Sequence, residues 1–301
     1  MLRRKLFESP SHPKGASEDQ NSELFASSLE TRRSEQVSRF FPGGQDAAPA
    51  KSLADAFLEI QTNLNMRLNQ IDFVKPPVHY VYNPTEYAHI PHELYHKKYC
   101  SARKPLLLVG MNPGPNGMCQ TGVPFGDPNW VRNWLQIEGS VSKPATECPK
   151  RLVQGFRSAR KEPSGDKFWG FWAARCGTAA SFFQNAFVHN YCPLAFMESS
   201  GRNVTPSDMK EERKALESAC DTHYLEVIKL MRPEKIVAIG RYIEKRTLTV
   251  LKRAHLNVKV LCLPHPSPRS PNNQDWRKKA TEFLQTHNLD TFFQYRADDG
   301  N

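Results

Sequence analysis

From residue 53 onward, apolar side chains recur at three- and four-residue steps: Leu53, Phe57, Ile60, Leu64 and Leu68. That spacing predicts an amphipathic helix. Four short apolar runs follow: "LLLVG" (106–110), "FVHN" (187–190), "KIVAIG" (235–240) and "VKVLCLP" (258–264). Each is short and largely apolar and reads as a buried strand. Helix-like segments separate them. The clearest is 208–231, with Ser207 or Asp208 placed to cap its first turn; 241–253 and 275–288 are two more. Strands alternating with helices predict an α/β layered fold around a mainly parallel sheet. Residues 119–180 fit no period. They hold Trp130, Trp134, Phe168, Trp169, Phe171 and Trp172, and read as an irregular, aromatic-bearing insertion. Residues 1–50 are rich in Ser, Glu, Gln, Pro and Gly and read as a disordered tail; 51–295 read as one domain and 296–301 as a disordered end.

Charge sharpens this division. The chain carries a net charge of +10, yet residues 1–50 hold seven basic and seven acidic side chains. The whole excess therefore lies in the domain, which suits a polyanionic partner such as nucleic acid. No apolar run approaches the ~20 residues of a membrane span. The basic start, "MLRRKLFESP", lacks the apolar stretch of a secretory signal; Arg3, Arg4 and Lys5 would suit a mitochondrial presequence, a reading that Glu8, Glu18, Asp19 and Glu23 weaken. Seven cysteines, odd in number and without a C-x-x-C pair, argue against a disulfide framework, a zinc ribbon or an iron–sulfur cluster. An intracellular, reducing compartment is expected.

Candidate chemistry comes from the residues just after each strand, because open parallel sheets bind ligands beyond the carboxyl ends of their strands. The first run leads into Met111-Asn112-Pro113-Gly114-Pro115, the second ends in His189-Asn190, and the fourth leads into His265-Pro266-Ser267-Pro268-Arg269. Two asparagines and one histidine are thus expected on one edge of the sheet. No G-K-[ST] comes after the Gly-rich turn and no G-x-G-x-x-G lies in it, which excludes a P-loop and argues against a dinucleotide-binding oxidoreductase. A nucleophile elbow and a zinc-deaminase signature are also missing. Amides with one imidazole suit hydrogen-bond recognition of a planar heterocycle, since an Asn side chain offers both a donor and an acceptor.

"GMNPGPNGMCQTGVPFGD" (110–127) and "HPSPR" (265–269) together closely resemble the single-strand-selective monofunctional uracil-DNA glycosylases. "YNPTEYAHIPH", "RNWL", "SGDKFWGFW", "FVHNYCPL" and "SGRNVTP" look like further segments of that family, so the likeness spans about residues 53–290. It implies a three-layer αβα fold with a central four-stranded parallel sheet. It also implies excision of uracil, 5-hydroxymethyluracil and 5-formyluracil from single- and double-stranded DNA, leaving abasic sites for nuclear base excision repair, with no metal or organic cofactor. By the same resemblance Asn112 positions the water, and His265 hydrogen-bonds O2 of the departing uracil. Met111 and Gly114 contact the base through their backbones, Gly114 leaving room beside C5. Phe125 stacks on the ring and Asn190 reads its edge. Pro266, Ser267, Pro268 and Arg269 meet the DNA. "SPNNQDW" after Arg269 departs from the family pattern: it lacks Lys and Arg and introduces Asp275, so a weaker grip on duplex is expected. The runner-up is a catalytically reduced member that holds a flipped base without excising it.

Two tail segments resemble docking peptides. Ser34–Phe41, "SEQVSRFF", has Phe40-Phe41 at the spacing of a sliding-clamp peptide but starts with Ser in place of Gln; "RRKLF" before Ser9-Pro10 resembles a cyclin-docking peptide. A featureless linker is the preferred reading of both, and a monomer is expected.

Overall fold

The computed structural model describes residues 51–293, apart from Lys75, Pro271 and Asn272. Both tail peptides and the C-terminal end lie outside these residues. The elements run α1 (Leu53–Leu68), β1 (Tyr80–Tyr82), α2 (Pro84–Tyr87), α3 (His89–Tyr99), β2 (Leu106–Gly110), α4 (Met118–Thr121), α5 (Pro128–Asn133), α6 (Pro163–Cys176) and α7 (Ala179–Asn185). They continue with β3 (Ala186–Asn190), β4 (Ala195–Met197), β5 (Asn203–Val204), α8 (Arg213–Met231), β6 (Lys235–Ile239), α9 (Arg241–Arg253), β7 (Lys259–Leu263) and α10 (Trp276–Thr286).

The four apolar runs form one parallel sheet in the order β3-β2-β6-β7. Every residue of β2 and β3 is buried, as a strand covered on both faces requires. The register sets Gly110 beside Asn190 and Ala238 beside Cys262, so the loops after the strands open on one edge. Phe187 and His189 share a face of β3, and both rings meet Phe57 of α1, at 5.6 and 5.0 Å between centroids. Helices α1, α3 and α8 pack together there, while α5, α6, α7 and α10 form the other helical group. The result is the three-layer αβα arrangement.

Two regions differ from expectation. The capping signal near Ser207 does not start α8: Thr205 and Asp208 close a capping box on a separate 3₁₀ turn, Pro206–Asp208, and α8 begins only at Arg213 with no side-chain cap. Residues 119–180 are not a loose insertion. They contain α6, and Phe168, Trp169 and Trp172 are core residues exposed by 2% or less. Aromatics at 168, 169, 171 and 172 crowd one broad face of the helix, while Asp166 and Ala174 stay exposed on the other. The aromatics are packed into little more than one turn, too short a stretch to show a recurring three- and four-residue step, so the pattern hid the helix. The small antiparallel sheet β1-β4-β5 was also invisible, because strands of two or three residues carry no readable alternation.

Candidate active site

A cleft of about 940 Å³ opens at the carboxyl edge of the main sheet. Met111, Asn112, Gly114, Phe125, Asn190 and His265 all line it, with Ser267, Pro268 and Arg269. Pro266 does not; it is buried behind them. Residues scattered over more than half of the chain meet because three parallel strands end on one edge.

The Asn112 turn is tied down by its own polar groups. Asn112 Nδ2 donates to Leu194 O at 3.1 Å, which turns Oδ1 the other way as a free acceptor. Cys192 N donates to Met111 O at 2.9 Å, and Gly117 N and Cys119 N donate to Gly114 O at 3.1 and 3.2 Å. Both carbonyls are therefore occupied inside the protein. Gly114 O already accepts two hydrogen bonds, so a backbone contact from Gly114 to a ligand would come from its N–H, whereas Met111 O keeps a second lone pair.

Asn190 is 5% exposed, and its Nδ2 lies 3.2 Å from Met118 Sδ. A Cβ placed on Gly110 would stand 2.4 Å from Asn190 Oδ1 and 3.0 Å from Phe125 Cε2, so glycine at the end of β2 is what lets the amide and the ring sit there. Phe125 takes a positive φ of 54° and stacks on Phe168, with centroids 4.3 Å apart and planes 18° apart. Trp169 Nε1 holds the preceding carbonyl, Pro124 O, at 3.2 Å. Phe125 thus presents its free face to the cleft while α6 supports the other.

His265 accepts a hydrogen bond on Nδ1 from Ser267 N at 3.0 Å. That contact requires an unprotonated Nδ1, so the neutral ring carries its hydrogen on Nε2, on the opposite side. Burial pushes the pKa of His265 down to about 4, which keeps the ring neutral across the physiological range. The loop after it is held by Asn273, whose Nδ2 donates to His265 O at 2.7 Å and to Ser267 O at 2.8 Å. Trp276 Nε1 donates to Pro264 O at 2.7 Å. A fixed imidazole donor, an amide with a free acceptor and a flat aromatic floor can together hold a planar heterocycle and place a water beside it.

Residues 97–287 match the uracil DNA glycosylase superfamily. The chain belongs to that superfamily. It is 45% identical over 259 residues to the single-strand selective monofunctional uracil-DNA glycosylase of Rattus norvegicus, covering 83% of this chain and 93% of the relative. It is 43% identical to the Mus musculus protein of the same description over 261 residues, with the same coverage of each. Among solved structures, that of wild-type Pedobacter heparinus SMUG2 matches with a TM-score of 0.57 at 22% identity, covering 79% of this chain and 99% of that one. The last likeness concerns the fold.

Several residues of this glycosylase-superfamily cleft were not anticipated. Arg151, Arg202 and Arg241 stand on its rim, and Glu162 on its wall. Arg241 opens α9 and pairs with Glu244 at 2.8 Å; Arg151 Nε donates to Gly201 O at 2.8 Å. A lone Arg or Glu in a loop carries no sequence signal for a shared site. Asn273 was equally silent, since its role depends on two carbonyls several residues upstream. Beneath the cleft, Arg246 joins Glu217 at 2.8 Å and Asp221, and Tyr191 OH donates to Asp221 at 2.8 Å. Tyr242, a lining residue, donates its hydroxyl to the same Glu217 at 3.0 Å. This network holds the turn after Asn190 against α8 and α9. Among the described residues no three His, Cys, Asp or Glu side chains converge as a metal site, and no helix is long and apolar enough to cross a membrane.

Proposed function

We propose that the protein hydrolyses the N-glycosidic bond of uracil in DNA. The observation that carries this reading is the pairing of His265, neutral with hydrogen on Nε2, with the free Oδ1 of Asn112 across one cleft. In the reaction the N1–C1′ bond breaks and its electron pair passes to the base. Charge gathers on O2, where the Nε2–H of His265 stabilises it as it develops. A water hydrogen-bonded to Asn112 Oδ1 delivers its hydroxide to C1′, and its proton balances the departing uracil anion. Asn190 accepts from N3–H and donates to O4, while cytosine presents the opposite polarity at both atoms. Phe125 stacks on the ring, a contact worth about 1–3 kcal/mol per base. Among the described residues no lysine lines the cleft, which supports water as the nucleophile and a monofunctional enzyme.

The finer reading covers uracil, 5-hydroxymethyluracil and 5-formyluracil in single- and double-stranded DNA, by a monomer acting in the nucleus. A base must leave the stack to enter a cleft of this depth, at a cost of a few kcal/mol. Arg269, exposed at the rim, is the candidate to occupy the gap. The excess of basic residues in the domain supports a DNA substrate. Cleavage after alkali of oligonucleotides with a single uracil or 5-hydroxymethyluracil, single-stranded and duplex, tests the proposal. The wild type should cleave, and the rate should collapse in Asn112→Ala and His265→Ala. Tight binding without cleavage by the wild type would instead establish a protein that only holds the flipped base.

A further inference from the structure

We propose that Glu162 reads the substituent at C5 of the base and selects a hydroxymethyl group over a methyl. The proposal rests on the glycosylase reading and names the residue behind one part of its specificity.

The position follows from the two contacts already placed. In uracil, C5 lies across the ring from C2. If His265 holds O2 and Asn190 holds N3 and O4, C5 faces away from His265, toward the Gly114 turn. Gly114 and Gly117 have no side chains to fill that wall, and Glu162 fills it instead. A Cβ on Gly114 would stand 2.8 Å from Glu162 Oε2, and one on Gly117 would stand 2.8 Å from Glu162 Cγ. The space beside Gly114 is therefore not empty: a carboxylate borders it.

The carboxylate is held in place and under-occupied. Glu162 N donates to Asp127 Oδ2 at 2.9 Å, and its backbone carbonyl accepts from Asp166 N at 2.8 Å at the start of α6. Oε1 accepts from Ser164 N at 3.4 Å, the long end of hydrogen bonding, and the Ser164 side chain also hydrogen-bonds the carboxylate, which leaves part of its four-site acceptor capacity unused. No Lys or Arg forms an ion pair with Glu162 among the described residues; Arg151 acts on it only from farther off. Burial raises its pKa, Asp127 adds to that rise, and Ser164 and Arg151 oppose it. A half-buried carboxylate with spare acceptor capacity, lining a ligand cleft, is placed to accept a hydroxyl hydrogen.

A 5-hydroxymethyl group supplies that hydrogen and a 5-methyl group cannot. Thymine would strip water from the carboxylate and offer no donor in return, so one side chain both attracts one substituent and rejects the other. Capping of α6 alone would not produce this selectivity.

Single-turnover excision of uracil, 5-hydroxymethyluracil and thymine from otherwise identical single-stranded oligonucleotides tests it, with wild type, Glu162→Gln and Glu162→Leu. The ratio of 5-hydroxymethyluracil to uracil excision should fall about ten- to a hundredfold in Glu162→Leu, and less in Glu162→Gln, which keeps a neutral acceptor. The ratio of thymine to uracil excision should rise in Glu162→Leu. Unchanged ratios in a variant that still excises uracil would overturn the proposal. Failure of the wild type to excise any of the three would instead sink the glycosylase reading. Should both variants fail to fold, the wild-type series decides, because equal excision of thymine and 5-hydroxymethyluracil would overturn the role of Glu162.

Discussion

Asn190 and His189 are neighbours on β3, yet they serve two unlike regions. Asn190 faces the cleft beyond the strand ends. His189 turns to the other face and joins His92, His96 and His223, all buried. His189 Nε2 meets His223 Nε2 at 3.1 Å, and His223 Nδ1 approaches Ile60 O at 3.3 Å. His92 Nδ1 lies 2.7 Å from Gly122 O and His96 Nδ1 2.8 Å from His92 O, which leaves both Nε2 atoms without a partner. Burial lowers the pKa of His92 and His223 to about 4, the same value as His265, and that of His96 and His189 well below 6.5. A depressed imidazole pKa therefore does not by itself mark chemistry. What separates His265 is access: its Nε2 faces a cleft, whereas the other rings are sealed among Phe57, Phe187 and the helices α1, α3 and α8.

The sharpest way to break this comparison is to remove one histidine from each region. His265→Ala should lower the single-turnover rate by about 10²–10³, the usual cost of losing one preorganised donor, with little change in melting temperature. A rate within tenfold of wild type would remove His265 from the mechanism. His223→Ala should do the reverse. It opens a cavity and strands the Nε2–H of His189, costing about 2–3 kcal/mol in denaturant unfolding. Its rate per folded molecule should match the wild type, and a specific loss of rate would tie the two regions together.

Acid should separate them next. The four buried histidines resist protonation in the folded chain but titrate near 6.5 once unfolded. Between about pH 4 and 6.5 the unfolded state binds more protons, so stability rises with pH through that window. It is fully present above 6.5 and drains away as pH falls. The slope is about 1.4 kcal/mol per pH unit for each ring that is protonated only on unfolding. Urea melts from pH 4.5 to 7.5 measure it, and a flat profile would show that these rings charge without unfolding the protein. The rate should show no inflection from His265 until about pH 4. The smallest effect concerns the loop: Asn273→Ala removes two hydrogen bonds that steady His265, and should cost about 1 kcal/mol of stability with a modest fall in rate. Wild-type kinetics would show that Trp276 and Ser267 hold the loop unaided.

The main sheet was legible because β2, β3 and β6 are buried almost throughout and read as short apolar runs, whereas the edge strand β7, expected to be buried like them, is buried on one face only, with Lys259 exposed. Its site was legible because loops after parallel strands meet on one edge, so Asn112, Asn190 and His265 could be joined from their places in the chain. The start of α8 was misread because Ser207 and Asp208 have the same capping chemistry whether a turn or a helix comes next. Helix α6 was missed because Phe168, Trp169, Phe171 and Trp172 crowd into little more than one turn and leave no recurring step to read.

By itself, then, the sequence determined the apolar strands, the rigid turns that end them and the polar residues those turns carry, all properties of neighbours along the chain. Only the tertiary structure decided which ring nitrogen of His265 carries the hydrogen, since Ser267 N must first fold back onto Nδ1. It alone set Glu162 over Gly114 and gathered His92, His96, His189 and His223 behind the sheet. Each of these depends on groups brought together from separate elements, and their hydrogen bonds and lost solvation arise only when the layers pack.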